Sequence, residues 1–180
     1  MLKKILVCLD GTRFSEGILP YAIERAQHFN SKLLLLKVSD MISAAQIIMP
    51  GMPGMPGQSL MIDQGSLDRM IREEVERDRA YLGNLTASLR NIGLDADYLV
   101  LHRHAGISIS DAILNYIEDH DFDLLMMATH GHSFWKRLMF GSVTEFVIRK
   151  SPLPVFVVSP QSGETKESIF GEMPQFSPVG

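Results

Sequence analysis

MMATHGHSFWKRLMFGSVTEFVIRKSPLPVFVV, residues 126–158, reads as strand, loop, helix, strand. The apolar run Leu124, Leu125, Met126, Met127 has the length of a buried strand, and it stops at Ala128-Thr129-His130-Gly131, where small residues replace large ones. Further on, Ser142 and Glu145 have the spacing of a capping box, in which the hydroxyl takes an amide of the first turn and the carboxylate reaches back, so a helix begins at Ser142. The unpaired amides of a helix start point outward with partial positive charge, an arrangement that receives a phosphate. Gly131 and Gly141 would let the backbone approach such a group with no Cβ in the way. Arg149-Lys150 suits the helix end, Pro152 and Pro154 stop its continuation, and Val155 to Val158 is a last strand.

The chain upstream repeats this alternation. Ile5 to Leu9 is an apolar run of strand length ended by Asp10-Gly11-Thr12, which puts Asp10 at the carboxyl end of a first strand. Ser15 can cap a helix carrying Leu19, Ala22, Ile23, Ala26 and Phe29 at a period near 3.6, with an irregular first turn or bend expected at Pro20. Leu33 to Val38 is a second strand, apolar on both faces as a central parallel strand is. Residues 41–66, with MPGMPGMPG inside them, break the pattern, because Pro removes donors and Gly raises the entropy cost of order; this stretch is expected to be a flexible insertion. From Leu67, the positions Ile71, Val75, Leu82, Leu85, Leu89 and Ile92 mark one long amphipathic helix that Gly93 ends. Tyr98 to Leu101 is a third strand, Ser108 with Asp111 opens a third helix, and Asp121-Phe122-Asp123 leads to the fourth strand.

Strands and helices alternating through five strands imply right-handed crossovers and an α/β, doubly wound domain: a five-stranded parallel sheet with helices on both faces. That domain is expected to occupy residues 1–160, followed by a weakly ordered polar tail at 161–180. The 180 residues, 46 % apolar, fit one soluble domain. A formal charge of −4 without a basic cluster argues against nucleic acid as a partner. One cysteine, Cys8, rules out a disulfide framework and fits a cytoplasmic setting as a buried thiol. No apolar run has the length of a membrane span, and Met1-Leu2-Lys3-Lys4 lacks a signal-peptide cleavage site.

The stretch 126–158 resembles the universal stress protein family, whose nucleotide-binding members carry Gly, two residues, Gly, nine residues, Gly, then Ser or Thr. Gly131, Gly141 and Ser142 hold the last three places here, and Ala128 stands where the first glycine would be, adding a Cβ beside the ligand. The likeness extends to the opening KKILVCLDGTRFSE and, more loosely, to about residue 159. It implies the strand order 3-2-1-4-5, which would bring Asp10 and the loop from Ala128 to one crevice. It also implies ATP as ligand, with Asp10 and Val38 on base or ribose, Met127 and Ala128 lining the same end, and phosphates on Gly131, His132, Gly141, Ser142, Val143 and Thr144. Mg²⁺, held mainly by phosphate oxygens, would arrive with the nucleotide. A regulatory homodimer is implied through the last strand, from Pro154 to Val158, whose uncharged apolar edge invites cover by another chain.

Plainer readings stand beside these. Asp10 can merely cap the turn that follows it, and Ala128 equally fits a nucleotide-free interaction module of the same fold, partnered through the 41–66 insertion or the tail. The His102/His104 and His130/His132 pairs lack further zinc ligands, and Met49, Met52 and Met55 serve as adaptable contacts more readily than as copper ligands. No catalytic constellation can be assigned a substrate, which leaves at most a slow ATP hydrolysis aided by His130 and His132.

Overall fold

Five apolar runs become five strands in a computed structural model of the chain, which describes residues 2–39, 64–103, 106–129 and 142–159. The strands are β1 (Lys4–Cys8), β2 (Lys32–Ser39), β3 (Ala96–His102), β4 (Leu124–Ala128) and β5 (Val155–Val158). Between them stand the helices α1 (Arg13–Glu16), α2 (Leu19–Phe29), α3 (Gln64–Asn91), α4 (Ile109–Glu118) and α5 (Ser142–Lys150). All neighbouring strands are parallel, in the order β3-β2-β1-β4-β5. The doubly wound sheet and its strand order are therefore as the sequence and the resemblance implied.

Alternation along each strand divides the core in two. Ile5, Val7, Leu33, Leu35 and Met126 face α2 and α3, meeting Leu19, Ala22, Ile23 and Ala26 of the first and Leu82, Leu85 and Leu89 of the second. Leu6, Cys8, Leu36, Leu125 and Met127 face α4 and α5, where Ile113, Leu114, Ile117 and Val147 close over them. β1 has to be apolar on both faces for this reason: Ile5, Leu6 and Val7 have no solvent exposure at all.

The first connection departs from expectation. Thr12, not Ser15, is the cap, its side chain accepting the Ser15 amide at 3.1 Å. The Ser15 hydroxyl folds back, donating to the Thr12 carbonyl at 2.8 Å and accepting the Asp10 amide at 3.2 Å. The helix then breaks at Gly17 and restarts at Leu19, so Pro20 lies in the first turn of α2. Its missing N–H is one that no helix of this length pairs anyway, and the expected distortion is unnecessary.

The long helix also begins earlier than its apolar stripe, at Gln64 and not Leu67, and so takes in the last residues assigned to the insertion. Once nucleated, a helix gains a hydrogen bond for every residue added, and extension past the packed stripe is cheap. At the other end Gly93, at φ +86°, turns the chain as expected: its amide reaches the Arg90 carbonyl and that of Leu94 reaches Leu89. Ser108 caps α4, accepting the Asp111 amide at 3.0 Å and donating to the Asp111 carboxylate at 2.6 Å.

Candidate functional site

β1 and β4 are neighbours, yet the helices that follow them lie on opposite faces of the sheet: α1 and α2 after β1, α5 after β4. The chain thus parts at their carboxyl ends, the switch point at which such sheets take ligands. Asp10 lies two residues past the end of β1, exposed. Its Oδ1 accepts the Thr12 amide at 2.8 Å and the Thr12 hydroxyl at 2.6 Å, so the carboxylate does cap its own turn.

Val38, Met127 and Val143 all pack against the cluster under α4 and α5, one from each of β2, β4 and α5. Ala128 packs against the opposite cluster, under α2 and α3. The two residues share the carboxyl end of β4, while strand alternation turns them to opposite faces. At the start of α5, Ser142 is exposed, Val143 half-buried and Thr144 buried. Gly131, His132 and Gly141 lie outside the described residues, as do His104, His130, residues 41–63 of the insertion and the tail at 161–180. Among the described residues no group of three or more His, Cys, Asp or Glu is placed to hold a metal ion, and no helix is long and apolar enough to cross a membrane.

Several polar groups at this end of the sheet escaped the sequence reading. Thr129, the residue after β4, is buried: its amide reaches the Val158 carbonyl at 2.8 Å, but its hydroxyl has no hydrogen-bond partner among the described residues. The same holds for the hydroxyl of Ser39, the last residue of β2. Lys37, on β2, forms an ion pair of 2.7 Å with Asp78 of α3. Each had a visible trace in the sequence: Lys37 interrupts the run LLLLKVS, and Asp78 sits on the apolar stripe between Val75 and Leu82. Burial pushes the Glu16 carboxyl above its ordinary value, with the Tyr81 hydroxyl and Arg13 opposing and Asp10 adding to the rise. Burial likewise raises the Tyr81 phenol, helped by the charge of Glu16. The Cys8 thiol, between the two sheet neighbours of β1, is pushed up to about 12 by burial, which removes it as a nucleophile.

A sequence model of the universal stress protein family matches residues 1–159. The chain is 40 % identical over 76 residues to universal stress protein Slr1230 of Synechocystis sp., a match that covers 42 % of this chain and only 25 % of that one. It is 26 % identical over 159 residues to universal stress protein YxiE of Bacillus subtilis, covering 88 % of this chain and 99 % of the relative. Among solved structures, protein MJ0577 superposes with a TM-score of 0.61 at 24 % identity, over 89 % of this chain and 98 % of its own. A universal stress protein from Archaeoglobus fulgidus, solved in complex with dAMP, gives 0.54 at 17 % identity, over 87 % and 97 %.

Proposed function

The chain belongs to the universal stress protein family, and from that premise we propose that it binds an adenine nucleotide, ATP, in the crevice between β1 and β4 and acts as a regulatory dimer. The observation that carries the reading is that Val38, Met127 and Val143 border one apolar cluster on the α4/α5 face, with Asp10 beyond the end of the neighbouring strand β1. Such a floor accepts a base, and a carboxylate beside it accepts the hydroxyls of a ribose. The Thr129 hydroxyl after β4, buried and without a partner among the described residues, also fits a ligand rich in hydrogen-bonding atoms, because a buried hydroxyl left unpaired is costly. The dAMP carried by the Archaeoglobus relative is of the same chemical class.

In this reading Asp10, Val38, Met127 and Ala128 surround the nucleoside, and Gly131, His132, Gly141, Ser142, Val143 and Thr144 receive the phosphates. The start of α5 supplies outward amides to them. Mg²⁺ would be held chiefly by phosphate oxygens. The dimer forms through residues 154–158: β5 is an edge strand, its four residues are all half-buried, and a second chain would cover them. The domain spans residues 1–160, and further protein partners would engage the 41–66 insertion or the tail. A cytoplasmic setting fits the single reduced cysteine.

A second reading, a nucleotide-free interaction module, is favoured by two observations: Ala128 brings a Cβ to the crevice, and Oδ1 of Asp10 is already committed to Thr12. One preparation separates the two. The purified protein is extracted with acid and the extract assayed for adenine nucleotide; labelled ATP is then titrated onto the emptied protein. Retained nucleotide, or saturable binding that Gly131→Val and Gly141→Val abolish, supports the first reading. Absence of binding at millimolar ATP supports the second.

A further inference from the structure

α3 is longer than the sheet it covers. It lies between the parallel neighbours β2 and β3 in sequence, so it runs back from their carboxyl ends to their amino ends. Its 28 residues, at about 1.5 Å each, span about 42 Å, whereas the 8 residues of β2, at about 3.3 Å each, span about 26 Å. Its last turn is fixed to the entry of β3 through Leu94 and Leu89, so the surplus projects past the carboxyl edge of the sheet. Burial marks the same point: residues 68–77 include no buried residue, and the first buried one in the described part of the helix is Asp78.

Asp78 is held there by Lys37, and both side chains are nearly enclosed, 10 % and 14 % exposed. The hold is half-made, because Oδ2 of Asp78 is buried with no hydrogen-bond partner among the described residues. Lys37 precedes Val38 on β2, and its Cε lies 3.1 Å from where a Cβ on Gly11 would stand. Gly11, at φ +89°, is the turn residue next to Asp10. One side chain therefore adjoins the turn after β1, shares a strand with Val38, and grips α3 where the helix leaves the sheet.

We propose that Lys37 couples the Asp10-Gly11 turn to the overhanging part of α3: displacement of the turn loosens the grip on Asp78 and frees residues 68–77 to open. In so far as a nucleotide displaces that turn, the coupling rests on the function proposed above, and it would report occupancy of the crevice on the outer surface of the helix. The test is hydrogen exchange read by mass spectrometry on the full chain. At labelling times too short for global unfolding to expose β1, β4 and α4, Lys37→Met is expected to speed exchange in 68–77 at least about tenfold. Gly11→Ala, which pushes a methyl group toward Lys37 Cε, is expected to act on the same segment. Gly106→Ala, at φ +84° with nothing within 4 Å of the added carbon, has the same backbone strain without the contact and should leave 68–77 unchanged. Lys37→Met/Asp78→Leu, which restores an apolar contact, should return 68–77 toward wild-type protection and ensures a folded variant. With millimolar ATP, exchange in 68–77 should change in the wild type and not in the Lys37→Met/Asp78→Leu variant, while the ends of β1 and β4 gain protection in both. The proposal is overturned if Gly11→Ala leaves 68–77 at the wild-type rate, or if Gly106→Ala affects it equally. If ATP protects no segment, the nucleotide reading falls, and the Gly11→Ala result still decides the coupling.

Discussion

Replacing Asp78 by Leu removes one half of an enclosed ion pair and leaves the shielded Lys37 ammonium without its carboxylate. Both side chains are at least 86 % shielded and stand 2.7 Å apart, which places the pair with buried bridges and not with surface ones. Breaking such a pair by deleting one partner costs about 3–5 kcal/mol, because the remaining charge keeps its desolvation penalty and loses its compensation. Lys37→Met belongs at the upper end of that range, since the abandoned carboxylate has an oxygen already without a partner among the described residues. For a domain of this length the loss corresponds to roughly 6–20 °C in Tm. The double variant Lys37→Met/Asp78→Leu removes both charges and is expected to fall within about 1 kcal/mol of wild type or above it. Urea unfolding followed by circular dichroism, with linear extrapolation for all four proteins, measures the cycle. Single variants costing less than about 1 kcal/mol, the value of an exposed pair, would refute the reasoning, as would a double variant as unstable as the two singles combined.

ATP at a hundred times its dissociation constant is expected to add about 2.7 kcal/mol to stability, or roughly 5–11 °C, in a thermal-shift measurement; an unmoved transition counts against the nucleotide. Cys8 should resist an aromatic disulfide reagent at mildly alkaline pH while the protein is folded and react with one equivalent in denaturant, because burial pushes its thiol up to about 12. Rapid labelling of the native protein would contradict its placement in the core. The Asp123 carboxylate accepts the amides of Lys4 and Lys3, at 2.9 and 2.6 Å, which hold it below its ordinary value of 3.8. Its contribution is therefore present above that value and lost as pH falls through the lower folded one. Asp123→Asn should flatten that part of an acid-unfolding curve, and an unchanged curve would show that the exposed carboxylate contributes nothing.

The unit around residues 126–158 was legible because its parts are local. A strand of four apolar residues, a capped helix and a pair of prolines each declare themselves within a few positions. The helix start at Ser108 and the stop at Gly93 follow from hydrogen bonds between residues no more than five apart. Thr12 was misread for a related reason. Thr12, Ser15 and Asp10 can all cap, and which one does depends on the direction in which the chain leaves β1.

The amino-acid sequence by itself determined the alternation of strands and helices, the apolar faces they must bury, and the spacing of Gly131, Gly141 and Ser142, since each depends on neighbours along the chain. Only the tertiary structure decided that Val38 and Val143 border one apolar cluster, and that a lysine of β2 finds a carboxylate 41 residues later in α3. Such meetings are fixed by how the sheet twists and how helices lie across it. A charge within an apolar run announces that it needs a partner, but packing alone selects which one it receives.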